Sequence, residues 1–280
     1  MTMKKTPATT FPSMFSAASF FDVLEADAKT TPIPAVEGNR PRVVAFYGFR
    51  GGAGRTLALA HVASILSRRG NGLHLAVVDL DLEAPGIHIP LQSDISSISD
   101  KQGIVPLLRA AMSPRDDRTL PVADSLLNSG IPTGSGRIYV LPAGRIGRKY
   151  LAQMEELNVG LWHSFAPPQP MQFVFSELSR QLRLDGILVD CRTGFSGLSA
   201  SMLFHIADAI VLFLPITAQV WDGFSLILDA LKVARAKRGG QPSLLIVPSL
   251  VPAGEAGKQI LTAFVEEIER RHLEVIGEGD

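Results

Sequence analysis

The sequence predicts an α/β fold: a mostly parallel central sheet with helices on both faces. Three observations point to it. Short, continuous apolar runs of strand length recur from residue 42 onward. Stretches with helical spacing of apolar residues separate them. Several of the apolar runs end in glycine-rich or acidic segments, as expected where strands finish together at one functional edge.

Taken in order, the chain begins with residues 1–41, rich in Thr, Ala and Pro and without sustained periodicity. They are predicted to form a flexible arm with room for one short helix over 15–28. Its Phe15, Phe20 and Phe21 could pack on the main domain or on a partner. From there to residue 280 the chain reads as a single domain. Strands are predicted at 43–47, 73–80, 137–141, 186–189, 209–214 and 243–247. Helices are predicted at 56–69, 149–157, 172–182, 198–205, 221–237 and 256–271. Strands alternating with helices imply βαβ units and hence parallel pairing. Residues 90–135 are less regular and read as an excursion carrying one or two helices, set at the rim of the sheet. The last residues, Ile276 to Asp280, read as a linker as much as a terminus.

Composition narrows the class of function. With 280 residues, 46% of them hydrophobic, the chain can bury a large core. The formal net charge is zero, so bulk electrostatics do not call for nucleic acid or an acidic membrane. No apolar run approaches the roughly 20 residues of a membrane helix. Lys4 and Lys5 precede a stretch broken by Pro12 and serines, which argues against a targeting signal. The single cysteine, Cys191, permits no disulfide framework and suits a cytoplasmic setting; it reads as a packing residue. The six histidines show no metal-ligand spacing, so no zinc site is expected.

The chemistry concentrates at residues 50–56, Arg-Gly-Gly-Ala-Gly-Arg-Thr, between the first strand and the first helix. Glycines let several backbone N–H groups converge on one phosphate, and the helix N-terminus adds a favourable field. The ordinary phosphate-binding pattern is G-x-x-x-x-G-K-[ST]. Here Phe49 stands at the first glycine and Arg55 at the lysine, so the loop alone fails the pattern.

Three downstream segments restore the reading. The second strand runs into Asp79-Leu80-Asp81-Leu82-Glu83-Ala84-Pro85-Gly86, two carboxylates expected on one strand face. The strand at 186–189 runs into Asp190-Cys191-Arg192-Thr193-Gly194, an apolar strand ending in the aspartate that would hold magnesium. A third strand enters the polar segment Pro215-Ile216-Thr217. Ligands of open parallel sheets bind at this carboxyl edge.

With these segments in this order, the chain resembles the P-loop NTPases of the MinD/ParA group. Their deviant Walker A loop reads K-G-G-x-G-K-[ST]. The chain is closer still to the KGGVGR-motif variants, which share D-L-E-A-P-G and D-x-R-T-G segments. The resemblance covers about residues 42–250. It implies ATP and magnesium as ligands and a dimer formed around ATP. It places Gly51, Gly52, Ala53, Gly54 and Leu57 around the phosphates, and Arg55 where the loop lysine meets the β- and γ-phosphates. Thr56 and Asp190 would ligate magnesium, with Asp79 supporting the metal shell. Asp81 would orient the attacking water. Arg50 stands at the signature lysine, which reaches a partner's nucleotide. Gly194 would offer an N–H near the terminal phosphate, and Pro248 and Ser249 stand where adenine is contacted.

The departures from the group bear on turnover. Arginine is a planar fork that grips phosphate bidentately, whereas lysine is a point charge on a flexible stem. Arg50 has the attributes of an arginine finger. Hydrolysis could be slow, dimer-dependent or absent. Glu83 could assist as a base or be a solvated carboxylate; Arg192 could sense the γ-phosphate or form a structural ion pair. Lys232, Arg235, Lys237 and Arg238 end a helix and read first as a solvated basic terminus, with DNA contact as the alternative. The expected function is a nucleotide-dependent dimerisation switch controlling an unidentified protein partner. The rivals are a positioning ATPase acting on DNA or cargo, and an ATP-gated module that does not turn over.

Overall fold

A computed structural model describes residues 40–112, 119–163, 170–239 and 242–276. The arm and its expected helix at 15–28 lie outside the described residues, apart from residues 40 and 41. In chain order the elements are β1 (Arg42–Gly48), α1 (Arg55–Arg68), β2 (His74–Leu80), α2 (Ile104–Met112), β3 (Leu127–Asn128) and β4 (Arg137–Leu141). There follow α3 (Arg148–His163), α4 (Pro170–Gln181), β5 (Gly186–Cys191) and α5 (Gly197–Ala200), the last continuing as a π-helical turn over Ser201–Ile206. The chain then forms β6 (Ala209–Pro215), α6 (Val220–Arg238), β7 (Ser243–Ser249) and α7 (Gly254–Ile276).

The seven strands form one sheet in the order β3-β4-β2-β5-β1-β6-β7. Every pairing is parallel except β3 with β4. All six predicted strands are present. The two-residue β3 was not expected, because so short an edge carries no periodicity. The excursion carries a helix, as expected. Besides two 3₁₀ turns it supplies α2, whose Ile104, Val105, Leu107 and Leu108 are buried in the larger core. It is therefore part of the main fold and not only its rim.

Alternation along the strands sorts side chains into two cores. Ala45, Tyr47, Ile210 and Leu212 face α6 and α7, in a core that also takes in α2 and α4. Phe46, Leu75, Val77 and Phe213 face α1 and residues 87–98. Successive strand residues point to opposite faces, so continuous apolar runs are what a doubly covered sheet requires.

β1 lies between β5 and β6, with Phe46 in register with Asp190 on one side and Val211 on the other. Chain direction across the sheet reverses there, so the ends of β1, β2, β5 and β6 open onto one crevice. At the opposite edge Arg40 Nη2 meets Asp208 Oδ1 at 2.7 Å, and Asp208 Oδ2 accepts from the Val43 N–H at 2.9 Å. This fixes the start of β1 against β6. Among the described residues no helix is long and apolar enough to cross a membrane.

Candidate functional site

The loop from Gly48 to Thr56 leaves β1 and enters α1. Gly52 and Gly54 have φ of 78° and 83°, left-handed conformations that favour glycine. A Cβ built on Gly51, Gly52 or Gly54 would meet nothing within 4 Å, so the loop borders open space. Gly54 is the N-cap of α1, with no side-chain cap and no acidic residue in the first turn. The first N–H groups of a helix have no intrahelical partner. Here no carboxylate of the helix competes for them, and the 14-residue helix adds its dipole. Ala53 is buried beneath the loop, while the Leu57 side chain is exposed, leaving its backbone as the part able to meet a phosphate.

Behind the loop lies a charged cluster. Asp79 and Asp190 are register partners on β2 and β5. Thr56 Oγ1 donates to Asp190 Oδ2 at 2.7 Å. Arg55 is 7% exposed, and its Nε donates to Asp190 Oδ1 at 2.5 Å. Its Nη2 donates to Asp81 Oδ2 at 2.9 Å, and its Nη1 is buried without a hydrogen-bond partner. Burial opposes the guanidinium charge, but Asp190 and Asp81 outweigh it and hold the Arg55 pKa above its usual value. Burial pushes Asp190 up, against the pull of Arg55 and Thr56.

The expected pairing of Asp79 and Asp81 on one strand face needs correction. β2 ends at Leu80, and Asp81 lies in the following turn. Asp79 is fully buried and anchors that turn. Its Oδ1 accepts from the Asp81 N–H at 3.1 Å, and its Oδ2 from the Gly86 and Ile87 N–H groups at 3.0 and 3.2 Å. Both oxygens are thus engaged with backbone, and Asp79 shapes the 81–87 loop. Burial first, and the Asp190 charge second, raise its pKa to about 7.

Sequence reasoning missed a second anchor of this loop. Tyr150, in the first turn of α3, donates its hydroxyl to the Leu82 carbonyl at 2.5 Å. Nothing in the local sequence around Tyr150 signals that contact, which joins residues far apart in the chain. Tyr150→Phe should lower stability by about 1 kcal/mol, read from the urea midpoint, because a buried carbonyl is left unsatisfied. An unchanged midpoint would show that Leu82 finds another donor.

The other expected residues occupy varied positions. Arg50 is exposed, and its Nη1 donates to Gln219 Oε1 at 2.9 Å, just before α6. Arg192 Nη1 meets Glu83 Oε1 at 2.6 Å, an ion pair that joins the two acidic loops and favours the structural reading of Arg192. The Gly194 N–H, expected to face a phosphate, donates to the Gly48 carbonyl at 3.4 Å, and its own carbonyl accepts from the Tyr47 hydroxyl at 3.0 Å. Pro248 and Ser249 end β7 beside Leu214 and Pro215, and the Ile216 N–H donates to the Ser249 carbonyl at 3.1 Å. The Oγ atoms of Thr217 and Ser249 are buried without partners at this same edge.

Phe49 explains its own departure from the phosphate-loop pattern. Its ring lies 5.8 Å from Tyr47 and 5.5 Å from Phe195, centroid to centroid. Gly223 of α6 sits beneath it, where a Cβ would come within 3.0 Å of the ring. The aromatic side chain thus ties the loop's entrance to the 193–196 segment and to α6. Cys191 is fully buried, and burial pushes its thiol pKa up, away from reactivity. At the basic helix end, Arg235 Nε donates to the Pro242 carbonyl, while Arg238 Nη1 donates to those of Phe204 and Ala207. Both arginines staple loops.

Among the described residues no group of three or more His, Cys, Asp or Glu side chains could hold a metal. What the site offers is one hydroxyl and one carboxylate, Thr56 and Asp190, beside an uncapped helix N-terminus. That donor set fits magnesium, which is bound through few protein oxygens and completes its octahedron with phosphate and water.

No family model matches the chain, and no curated protein matches it. Solved structures do. Cobyrinic acid a,c-diamide synthase from Mycobacterium smegmatis, with a bound ATP analogue and magnesium, is 16% identical with a TM-score of 0.57, over 81% of this chain and 82% of that one. McdA from Cyanothece, in its ATP complex, is 12% identical with a TM-score of 0.60, over 83% and 81%. A plasmid partition protein from Borrelia burgdorferi is 14% identical with a TM-score of 0.56, over 85% and 98%. The shared property is the fold, a mostly parallel sheet with helices on both faces, as the sequence predicts.

Proposed function

We propose that this chain is a magnesium- and ATP-binding switch of the cytoplasm that pairs with a second copy around the nucleotide, turns it over slowly and controls a protein partner. The observation that carries the reading is the uncapped, glycine-led N-terminus of α1 with Thr56 hydrogen-bonded to Asp190 directly behind it. ATP and magnesium bound to neighbours of the same fold support the choice of ligand.

Each residue of the cluster has a proposed role. Backbone N–H groups of residues 51–57 cradle the phosphates. Thr56 and Asp190 present oxygens to magnesium, which when bound would neutralise phosphate charge. Arg50 lies on the surface, where it can exchange Gln219 for a phosphate held by the partner copy. Asp81 is the group to orient water, and one observation tempers its activity. Its carboxylate accepts from Arg55, so in the free chain it is engaged. That contact favours turnover that waits for nucleotide and partner. If it persisted in the bound state it would favour an ATP-gated module without turnover. The inward use of Arg235 and Arg238 leaves less free positive charge for DNA than the sequence suggested.

Calorimetry of the full chain with a non-hydrolysable ATP analogue should show binding that requires magnesium, and light scattering should show the mass doubling with it. Phosphate release should stand above background in the wild type and fall to background in Asp81→Ala. Absence of magnesium-dependent binding would sink the proposal. Binding and dimerisation with equal, background phosphate release in both proteins would leave the non-hydrolysing module.

A further inference from the structure

We infer that Arg55 is a built-in counter-ion at the metal position, so that a divalent cation enters only together with a polyphosphate anion. The inference rests on the magnesium-nucleotide reading above and deepens it.

The geometry is specific. Two edges of one guanidinium meet two carboxylates: Nε with Asp190 Oδ1 at 2.5 Å, Nη2 with Asp81 Oδ2 at 2.9 Å. Asp190 is the carboxylate that would face magnesium, and its other oxygen is taken by Thr56. Both Asp190 oxygens are therefore already in hydrogen bonds, and the guanidinium offsets one of the two carboxylate charges. Lysine at this position would hold the two carboxylates less firmly, since its ammonium lacks the planar fork that meets each along a separate edge.

A cation arriving alone would have to displace a buried, doubly held guanidinium that has no other partner to turn to. A polyphosphate supplies one. Phosphate accepts the same bidentate fork that a carboxylate does. The buried, unpartnered Nη1 is a donor still to be satisfied. Once Arg55 shifts its bonds to phosphate, Asp190 and Asp81 are released together, one to the metal and the other to water. A single side chain would thus link anion binding, metal binding and the freeing of Asp81.

Manganese titration followed by electron paramagnetic resonance on the full chain tests this without nucleotide. The wild type should take up no manganese saturably at millimolar concentrations. Arg55→Ala should gain a site at least ~10-fold tighter, equivalent to about 1.4 kcal/mol. Arg55→Lys should fall between, and Asp190→Asn in the Arg55→Ala background should abolish the gain. Circular dichroism checks that each variant is folded. Equal manganese binding by wild type and Arg55→Ala, or none by a folded Arg55→Ala, overturns the inference. A parallel titration with ADP separates this result from the proposed function. Nucleotide binding with an unchanged manganese pattern rejects Arg55 as counter-ion and keeps the function. The expected manganese pattern without nucleotide binding does the reverse.

Discussion

Asp190→Asn is expected to destabilise the nucleotide-free protein by about 2 kcal/mol, because it removes a charged acceptor from a buried hydrogen bond and leaves Arg55 with one carboxylate where it had two. Arg55 is 7% exposed and would keep only Asp81, which is more open to water and lies at the longer distance of 2.9 Å. Thr56 would lose a charged acceptor and keep at best an amide oxygen. The cost should appear as a lower urea midpoint at an unchanged slope, since the unfolded surface is the same. Magnesium-dependent nucleotide binding should disappear as well, because the remaining buried carboxylate in the cluster, Asp79, is committed to backbone N–H groups. A variant as stable as the wild type would show that the Arg55–Asp190 pair contributes nothing net. A variant that still bound nucleotide with magnesium dependence would remove Asp190 from the metal's ligands.

Most of the frame for this cluster is legible in the sequence alone. Strand runs such as 186–189 are apolar on both faces, and a doubly covered sheet uses such runs. The glycines of 51–54 announce a left-handed turn because other residues rarely take that conformation. The destinations of long side chains are not legible in the same way. Arg55 was expected to face phosphate, yet in the free chain it turns back into the acidic cluster. Asp79 and Asp81 have the spacing of a strand face, but the strand ends between them, and hydrogen bonding to the turn decides the direction of each. Tyr150, Gln219 and Phe195 act on the loops from distant positions in the chain, through contacts that no local period encodes. The basic end of α6 misleads for a related reason. Helix-terminal arginines favour the dipole wherever they point, and two of these also meet inward-facing carbonyls.

The same cluster should make stability fall as pH rises toward neutrality, through Asp79. Its ordinary value is 3.8, and in the fold burial and then the Asp190 charge bring it to about 7. A raised carboxyl pKa means the folded state binds the proton more tightly than the unfolded chain does. The resulting stabilisation is full below the unfolded value, declines as pH rises through the interval, and is gone above about pH 7. Roughly three units at about 1.36 kcal/mol each set an upper scale of about 4 kcal/mol, of which about 3 should be lost between about pH 5 and pH 8. Urea unfolding of the wild type across that range should show the decline, and Asp79→Asn should flatten it, since an amide does not titrate. The amide keeps one oxygen for the Gly86 and Ile87 donors and forfeits the bond to Asp81, so the variant should be weaker than the wild type at the acid end of that range and recover ground at the alkaline end. Asp190→Asn removes the neighbouring charge and should move the wild-type decline to lower pH. If the slope were the same in all three proteins, the titrating group would lie elsewhere, and Asp79 would be an ionised anchor whose three N–H bonds outweigh its burial.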